Sequence, residues 1–296
     1  MNLIDIASWQ AGLDLGILFT RNPSLGGVIV KLTQGTGYVN PEAAKWVDWL
    51  VKNKKPLGLY HYLDTAGAEA EAKHFVSKAK PYIGKAVLAI DYEGDTLRMG
   101  TGYLKACLDE VYRLTGVKPL VYCSQSVTQS QNFSAIASAG YRLWMAQYAS
   151  MSPVAGFTEN PWHKGSVSPF DGFIMQQYTS NGKLNGWSAG LDFDKFYGDA
   201  QGWASLAGGK AEPAPAPSPD PEPTPGKKKV SPQVIADVLD NKYGIKDERR
   251  RKLSAAGYDP DEVQAKINEL YGIAGKVKPT LSGNLDYLDC IGKILR

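Results

Sequence analysis

Two carboxylic acids two residues apart, Asp91 and Glu93, end the apolar run AVLAIDYEG at Ala86–Gly94. Such a run reads as a buried strand, and alternate residues of a strand share a face, so both acids point the same way with Cα atoms roughly 7 Å apart. Paired carboxylates on that scale break glycosidic bonds, one giving a proton and the other staying charged. Taken alone, the same pair also fits a solvated strand rim or half of a metal site. More acids sit in similar runs: Asp5 in LIDIASWQ, and Asp192 or Asp194 in GLDFDKF. Crowded carboxylates cannot all remain ionised cheaply, so one is expected to hold a proton near neutral pH. Glu93 is the candidate general acid, because its longer side chain at the outer end of the strand reaches a leaving oxygen. Asp91 is expected to stay charged.

The elements that must position these acids recur through the first two hundred residues. Eight strand-like runs, LIDIA, VIVKLTQ, PLGLYHYL, AVLAIDYE, PLVYCSQ, RLWMAQYA, FIMQQYT and GLDFDKF, begin near residues 3, 28, 56, 86, 119, 142, 173 and 190. Helical stretches separate the earlier runs, as at 101–114, where Thr101 offers a cap, Leu104, Leu108 and Val111 share a face and Gly116 ends the turn. Alternating strand and helix implies parallel strands, and the count points to an α/β fold, an irregular (β/α) TIM-like barrel. The second half is expected to be irregular because the stretch from Ser150 to Asp171 is poor in helix. Active sites of such barrels lie at the carboxyl ends of the strands, and the first and last strands are neighbours there. Asp5, Asp91, Glu93 and either Asp192 or Asp194 therefore converge as the catalytic candidates.

The same strand ends carry aromatics and amides. Trp9, Tyr60, Tyr62, Tyr122, Trp144, Tyr148 and Tyr178 are candidate platforms for the apolar faces of sugar rings, with Gln147 and Gln177 for hydroxyl or acetamido groups. The histidines, His61, His74 and His163, are too scattered for a zinc site, so no metal and no cofactor is expected. His61 reads as a hydrogen-bonded barrel residue rather than a base.

Proline at every second position in EPAPAPSPDPEPTPG enforces an extended spacer. The expected domains are a catalytic barrel at 1–207, a linker at 208–229, a three-helix module at 230–272 and a tail at 273–296. In the module, Ser231 with Pro232 opens one helix and Asp259 with Pro260 another, whose apolar face is Val263, Ile267 and Leu270. The apolar spacing at 284–296 fits one more amphipathic helix.

Lysine and arginine total 33 against 30 acids, a net charge of +3, and no basic stretch is interleaved with aromatics, which argues against a nucleic-acid partner. The cluster Arg249, Arg250, Arg251 and Lys252 follows two acids and reads as a solvated helix face. No apolar run is long enough to span a bilayer, so membrane insertion is not expected. Three widely spaced cysteines, Cys107, Cys123 and Cys290, imply free thiols in a reducing compartment, and no secretory leader is evident.

At these residues the sequence resembles the family 25 glycoside hydrolases, the muramidases of phage endolysins and bacterial autolysins. DIASWQ, QGTGYVNP, GLYHYL, AIDYEG, PLVYCS, LWMAQY and LDFDKF carry the resemblance in order along the first domain. It implies cleavage of the β-1,4 bond between N-acetylmuramic acid and N-acetylglucosamine in bacterial peptidoglycan, on an irregular barrel without metal. It also implies Glu93 as general acid, Asp91 as its partner, Asp5 as the acid of the opening strand and Asp192 rather than Asp194 as the closing acid. Ala7 stands where serine is common, and Asp194 lies near where asparagine is common. Family members are described as retaining, and participation of the 2-acetamido group is the favoured expectation. The segment VIADVLDNKYGIKDERRRKLSAAGYDPDEVQAKINEL resembles the CW-seven cell-wall-binding repeat, with its turn around GIKDER altered; Tyr243, Arg250 and Tyr258 are its candidate wall contacts. The expected role is a phage endolysin held in the host cytoplasm until the membrane is opened. Competing expectations are a chitinase-like glycosidase, against which Val87–Ile90 stand where that pattern has further acids, and a non-catalytic wall-binding protein.

Overall fold

In a computed structural model, the protein is described over residues 1–208, 230–239, 242–244 and 246–270. It forms two compact units, residues 1–215 and 216–296. The linker from 209 to 229 and the tail from 271, including Cys290 and the expected helix at 284–296, fall outside the described residues.

The first unit contains strands β1 (Asn2–Ile6), β2 (Leu25–Gln34), β3 (Tyr38–Val39), β4 (Leu57–Tyr62), β5 (Ala86–Asp91), β6 (Leu120–Ser124), β7 (Leu143–Ala146), β8 (Val154–Ala155), β9 (Phe173–Lys183) and β10 (Leu191–Phe196). Eight of them close on themselves in the order β1, β2, β4, β5, β6, β7, β9, β10, so each expected run is a barrel strand. The strands β1, β2, β4, β5, β6, β7 and β9 pair in parallel around the wall.

The expectation of wholly parallel strands is corrected at the last one: β10 runs antiparallel to both β9 and β1. Its connection to β9 is residues 184–190, whereas a parallel crossover needs about a dozen residues or more. The reversal sets the first residues of β10, not its last, at the carboxyl end of β1. Asp192 consequently pairs in register with Asp5.

Helices α1 (Leu15–Arg21), α2 (Ala43–Lys52), α3 (Ala68–Ala79), α4 (Gly100–Thr115), α5 (Gln125–Ser130) and α6 (Ser134–Ser138) follow the earlier strands. Trp46, Leu50, Phe75, Leu104, Leu108 and Val111 bury their apolar faces against the outside of the barrel. Gly116 ends α4 in the left-handed conformation, φ 72°, which glycine adopts without Cβ strain. Thr101 lies inside α4 rather than capping it, and its hydroxyl donates to Asn132 O at 2.7 Å. Between β7 and β9 there is no helix, only β8, in keeping with the irregular second half.

Inside the barrel, Leu3, Ile29, Val87, Leu120, Met175 and Phe196 fill the space beneath the aromatic layer of Tyr60, Tyr122 and Trp144. Helix α7 (Ala200–Leu206) closes the lower end. Its Trp203 is 2% exposed, stacks edge-on to Phe196 at 5.2 Å and donates its indole hydrogen to Leu57 O at 3.0 Å.

In the second unit, helices α8 (Pro232–Leu239), α9 (Lys246–Ala255) and α10 (Pro260–Leu270) surround a small core of Val234, Ile235, Val238, Leu253, Val263 and Ile267. Asp259 caps α10 by accepting from Asp261 N at 2.9 Å. The side chain of Leu270 is outside the described residues.

Trp203→Ala leaves a large void and removes the indole donor to Leu57 O, and is expected to cost about 3–5 kcal/mol in urea unfolding of the first unit. Unchanged stability would show that α7 does not close the barrel.

Candidate active site

A cleft of about 220 Å³ opens at the carboxyl end of the barrel, lined by the acids Asp5, Asp91, Glu93 and Asp192 and by Tyr60, Tyr122, Trp144, Tyr148 and Gln177. Strand parity produces the set. Asp5 sits near the end of β1, Asp91 ends β5, and Glu93 follows two residues on with the same facing. Asp91 is 6% exposed, whereas Glu93 stands exposed at the rim. Gly94 must be glycine here: its φ is +60°, and a Cβ would meet the Tyr62 hydroxyl at 2.5 Å.

One amide organises the opposite wall. Gln177 Nε2 donates to Asp5 Oδ2 at 2.6 Å, and Gln177 Oε1 accepts from Tyr122 OH at 2.8 Å and from Tyr148 OH. Trp144 lies edge-on to Tyr122 at 4.7 Å and to Tyr60 at 6.4 Å, and donates its indole hydrogen to Asp194 Oδ1 at 2.8 Å. These contacts fix a stiff aromatic wall beside the acids.

Burial dominates the electrostatics. Desolvation, with repulsion from Glu93, lifts the Asp91 carboxyl well above the usual range, while Lys31 opposes the rise. Glu93 is also raised; its carboxyl reaches solvent, yet enough protein surrounds it for burial to outweigh the Lys31 charge. Burial pushes Asp5 up to about 6, countered by the Gln177 hydrogen bond. Asp192 rises to about 8 through burial and its acidic neighbours. This runs against the expectation that Asp91 stays charged: being the deeper of the two acids, Asp91 is the harder to ionise.

The structure does not bring every candidate to the cleft. Trp9 stands 91% exposed on the turn after β1 and is not among the lining residues. The Tyr62 ring lies beneath Lys31 Nζ at 4.5 Å and its hydroxyl packs on Gly94, so it buttresses the rim rather than lining the cleft. The Gln147 amide is occupied by the loop below it, donating to Lys164 O at 2.9 Å and accepting from Lys164 N at 2.8 Å. Tyr178 points outward into the core beside Phe193, its hydroxyl accepting from Thr158 N at 3.1 Å. His61 is buried on the outer face between Thr33 Oγ1 at 2.8 Å and Glu71 Oε2 at 3.2 Å, a structural residue as expected.

Lys31 is a site residue that the sequence reasoning did not single out. It is half-buried, donates to Gln34 Oε1 at 2.8 Å and is the cation acting on both Asp91 and Glu93. Its signal was present: a lone charge inside the apolar run VIVKLTQ. Among the described residues, no group of three or more His, Cys, Asp or Glu is arranged to hold a metal ion.

In the second unit, Tyr243 and Tyr258 pack half-buried against the helical core. Arg250 is exposed and forms a two-pronged ion pair with Asp261 at 2.7 and 2.9 Å.

The family model for glycosyl hydrolases family 25 matches residues 4–187, and that for the CW_7 repeat matches residues 232–271. The chain belongs to glycosyl hydrolases family 25. It is thus a glycoside hydrolase of the lysozyme type. It is similar to the lysozyme of Streptococcus phage Cp-7, 27% identical over 276 residues covering 90% of this chain and 69% of that protein. It is also similar to the lysozyme of Streptococcus phage Cp-1, 28% identical over 58% of this chain and 52% of that one. The fold is that of the bacterial lysozyme from Streptomyces coelicolor, with a TM-score of 0.58 and 19% identity, covering 70% of this chain and 96% of that chain. The catalytic domain of an endolysin from bacteriophage P40 of Listeria monocytogenes has a TM-score of 0.55 and 24% identity, covering 70% and 97%.

An acid whose folded-state pKa exceeds its unfolded value binds more protons folded than unfolded, so stability falls as pH rises between the two values. For Asp192 that window runs from the ordinary 3.8 to about 8. Calorimetry of Asp192→Asn should therefore show a Tm gain over the parent protein that grows across this window, by roughly 2–4 °C for each kcal/mol relieved. A difference that is flat or reversed with pH would contradict the raised pKa.

Proposed function

We propose that the protein is an N-acetylmuramidase that cleaves the β-1,4 bond between N-acetylmuramic acid and N-acetylglucosamine in bacterial peptidoglycan, with net retention. The observation that carries the mechanism is an orphaned atom: Asp91 Oδ1 is buried with no hydrogen-bond partner. A buried acceptor left unpaired costs about 1–3 kcal/mol, and a donor arriving with the substrate relieves that penalty. The acetamido N–H of the sugar is such a donor.

Asp91 and Glu93 titrate as a pair, and the pair keeps one proton. Without a donor on Asp91, burial favours that proton on Asp91. When the acetamido N–H donates to Asp91, the Asp91 anion is stabilised and the proton passes to Glu93 at the rim. Glu93 then protonates the glycosidic oxygen as its bond to C1 breaks, and the acetamido oxygen bonds to C1 from the opposite face. Water next attacks C1, giving a proton to Glu93 and reopening the ring to the acetamide. Asp5, raised only to about 6 and held by the Gln177 amide, supplies negative charge where the oxocarbenium-like carbon develops, while Asp192, raised to about 8, faces the same cleft as a neutral carboxylic acid at neutral pH.

Residues 1–207 form the catalytic part in this account, and 230–272 form the wall-binding part across the linker. A single repeat of this size gives weak affinity, which gains by avidity when the cleft holds the same wall. The phage lysozymes among the relatives support a role as a phage endolysin that waits in the host cytoplasm until the membrane is opened. No helix among the described residues is long and apolar enough to cross a membrane.

Digestion of purified peptidoglycan, borohydride reduction and mass spectrometry should find muramitol at the new ends. Glucosaminitol would assign the other bond. Glu93→Gln should lower release by about 10²–10⁴-fold with wall binding retained, since general acid catalysis contributes that range. Proton NMR should show the β-anomer first; initial α-anomer would exclude retention.

A further inference from the structure

Asp194 is the fifth acid at this end of the barrel, and it is absent from the cleft lining. It sits one strand-period beyond Asp192 on β10 with the same inward facing, and it is 0% exposed. Oδ1 accepts from the Trp144 indole at 2.8 Å, while Oδ2 is buried without any donor. The registers Leu3 with Asp194 and Asp5 with Asp192 set Asp194 diagonally across the strand pair from another inward-facing carboxyl, Asp5, and each of the two acids acts on the other's pKa. Two carboxylates cannot face one another in a buried site unless one carries a proton. Asp5 already accepts the Gln177 amide and borders the cleft, which favours its anion. Asp194 has no such donor beyond the indole, and the titratable groups acting on or facing it are Asp5, Asp192, Tyr148 and Tyr178, none of them cationic.

We propose that Asp194 is a positioning residue: as a neutral carboxylic acid it donates its Oδ2 hydrogen to Asp5 and accepts the Trp144 indole on Oδ1. One side chain thereby fixes both the charged acid of the opening strand and the aromatic wall opposite it. Desolvation and the repulsion of Asp5 and Asp192 raise its pKa far enough to keep the proton in place at neutral pH. The kinetic consequence rests on the muramidase reading; the protonation state does not.

The test is a ¹³C-carboxyl NMR titration of Asp5 in the full chain, assigned by difference with Asp5→Asn, together with kcat on peptidoglycan. Asp5 should titrate near 6 in the parent protein. Asp194→Asn keeps a neutral donor and an acceptor in place, so the Asp5 midpoint should stay within about half a unit. Asp194→Ala removes the donor, and the midpoint should rise by about one unit. Its kcat should fall at least tenfold below that of Asp194→Asn, with the smaller change in KM. A midpoint that falls in both variants would show that Asp194 is an anion, and equal kcat in the two would show that its hydrogen bonds do not position the cleft. If Asp194→Ala does not fold, the Asp194→Asn midpoint alone decides the sign. A parent protein inactive on peptidoglycan, with the predicted midpoints intact, would remove the muramidase reading and leave this one standing.

Discussion

Five carboxyl groups, Asp5, Asp91, Glu93, Asp192 and Asp194, are raised above their ordinary pKa at one end of a closed barrel, and burial is the main cause for each. They cannot all ionise there. Lys31 is the cation that opposes the rise at Asp91 and Glu93, and the remaining compensation comes from neutral donors, Gln177 to Asp5 and Trp144 to Asp194. The cluster must therefore retain protons at neutral pH, and a retained proton at the rim is what a general acid needs. Burying these acids costs stability, while the packing beneath, from the aromatic layer down to Trp203, holds the barrel shut.

Barrel closure is what turns scattered acids into a cluster. Asp5 and Asp192 are far apart in sequence but share a register position because β10 turns back against β1. Asp91 and Glu93 come from the opposite side of the wall, and their different depths give them different work. The buried acid has an unpaired oxygen suited to an amide donor, and in the proposed mechanism the exposed acid is the one that reaches the bond to be broken. Gln177, held by two tyrosine hydroxyls, keeps its amide oriented so that the nitrogen faces Asp5.

Much of this was legible in the sequence. Every barrel strand was readable as a short apolar run, and the acids stood out because several of them fall together at the ends of runs that a barrel brings to one cleft. The reversal of β10 was readable too, since the gap between the last two runs is too short for a crossover, but strand counting alone passes over it. Trp144, Gln177 and Tyr148 reach the cleft because they share parity with inward residues of their strands; Gln147 and Tyr178 are one residue out of phase and turn away. Trp9 and Tyr62 show a different limit, for proximity to a strand end does not say whether a side chain folds over the cleft or stands beside it. In the helical unit, half-burial of Tyr243 and Tyr258 follows from the need of so small a core for every apolar ring nearby. The protonation of Asp194 was beyond sequence, because it depends on which two acids meet and what else can donate to them.

Isotope-edited infrared spectroscopy of the full chain with ¹³C-carboxyl aspartate, recorded at neutral pH, tests the central claim most directly. The account predicts bands of protonated, buried carboxylic acid at neutral pH that diminish in Asp91→Asn and in Asp194→Asn. A spectrum showing only ionised carboxylate would contradict it.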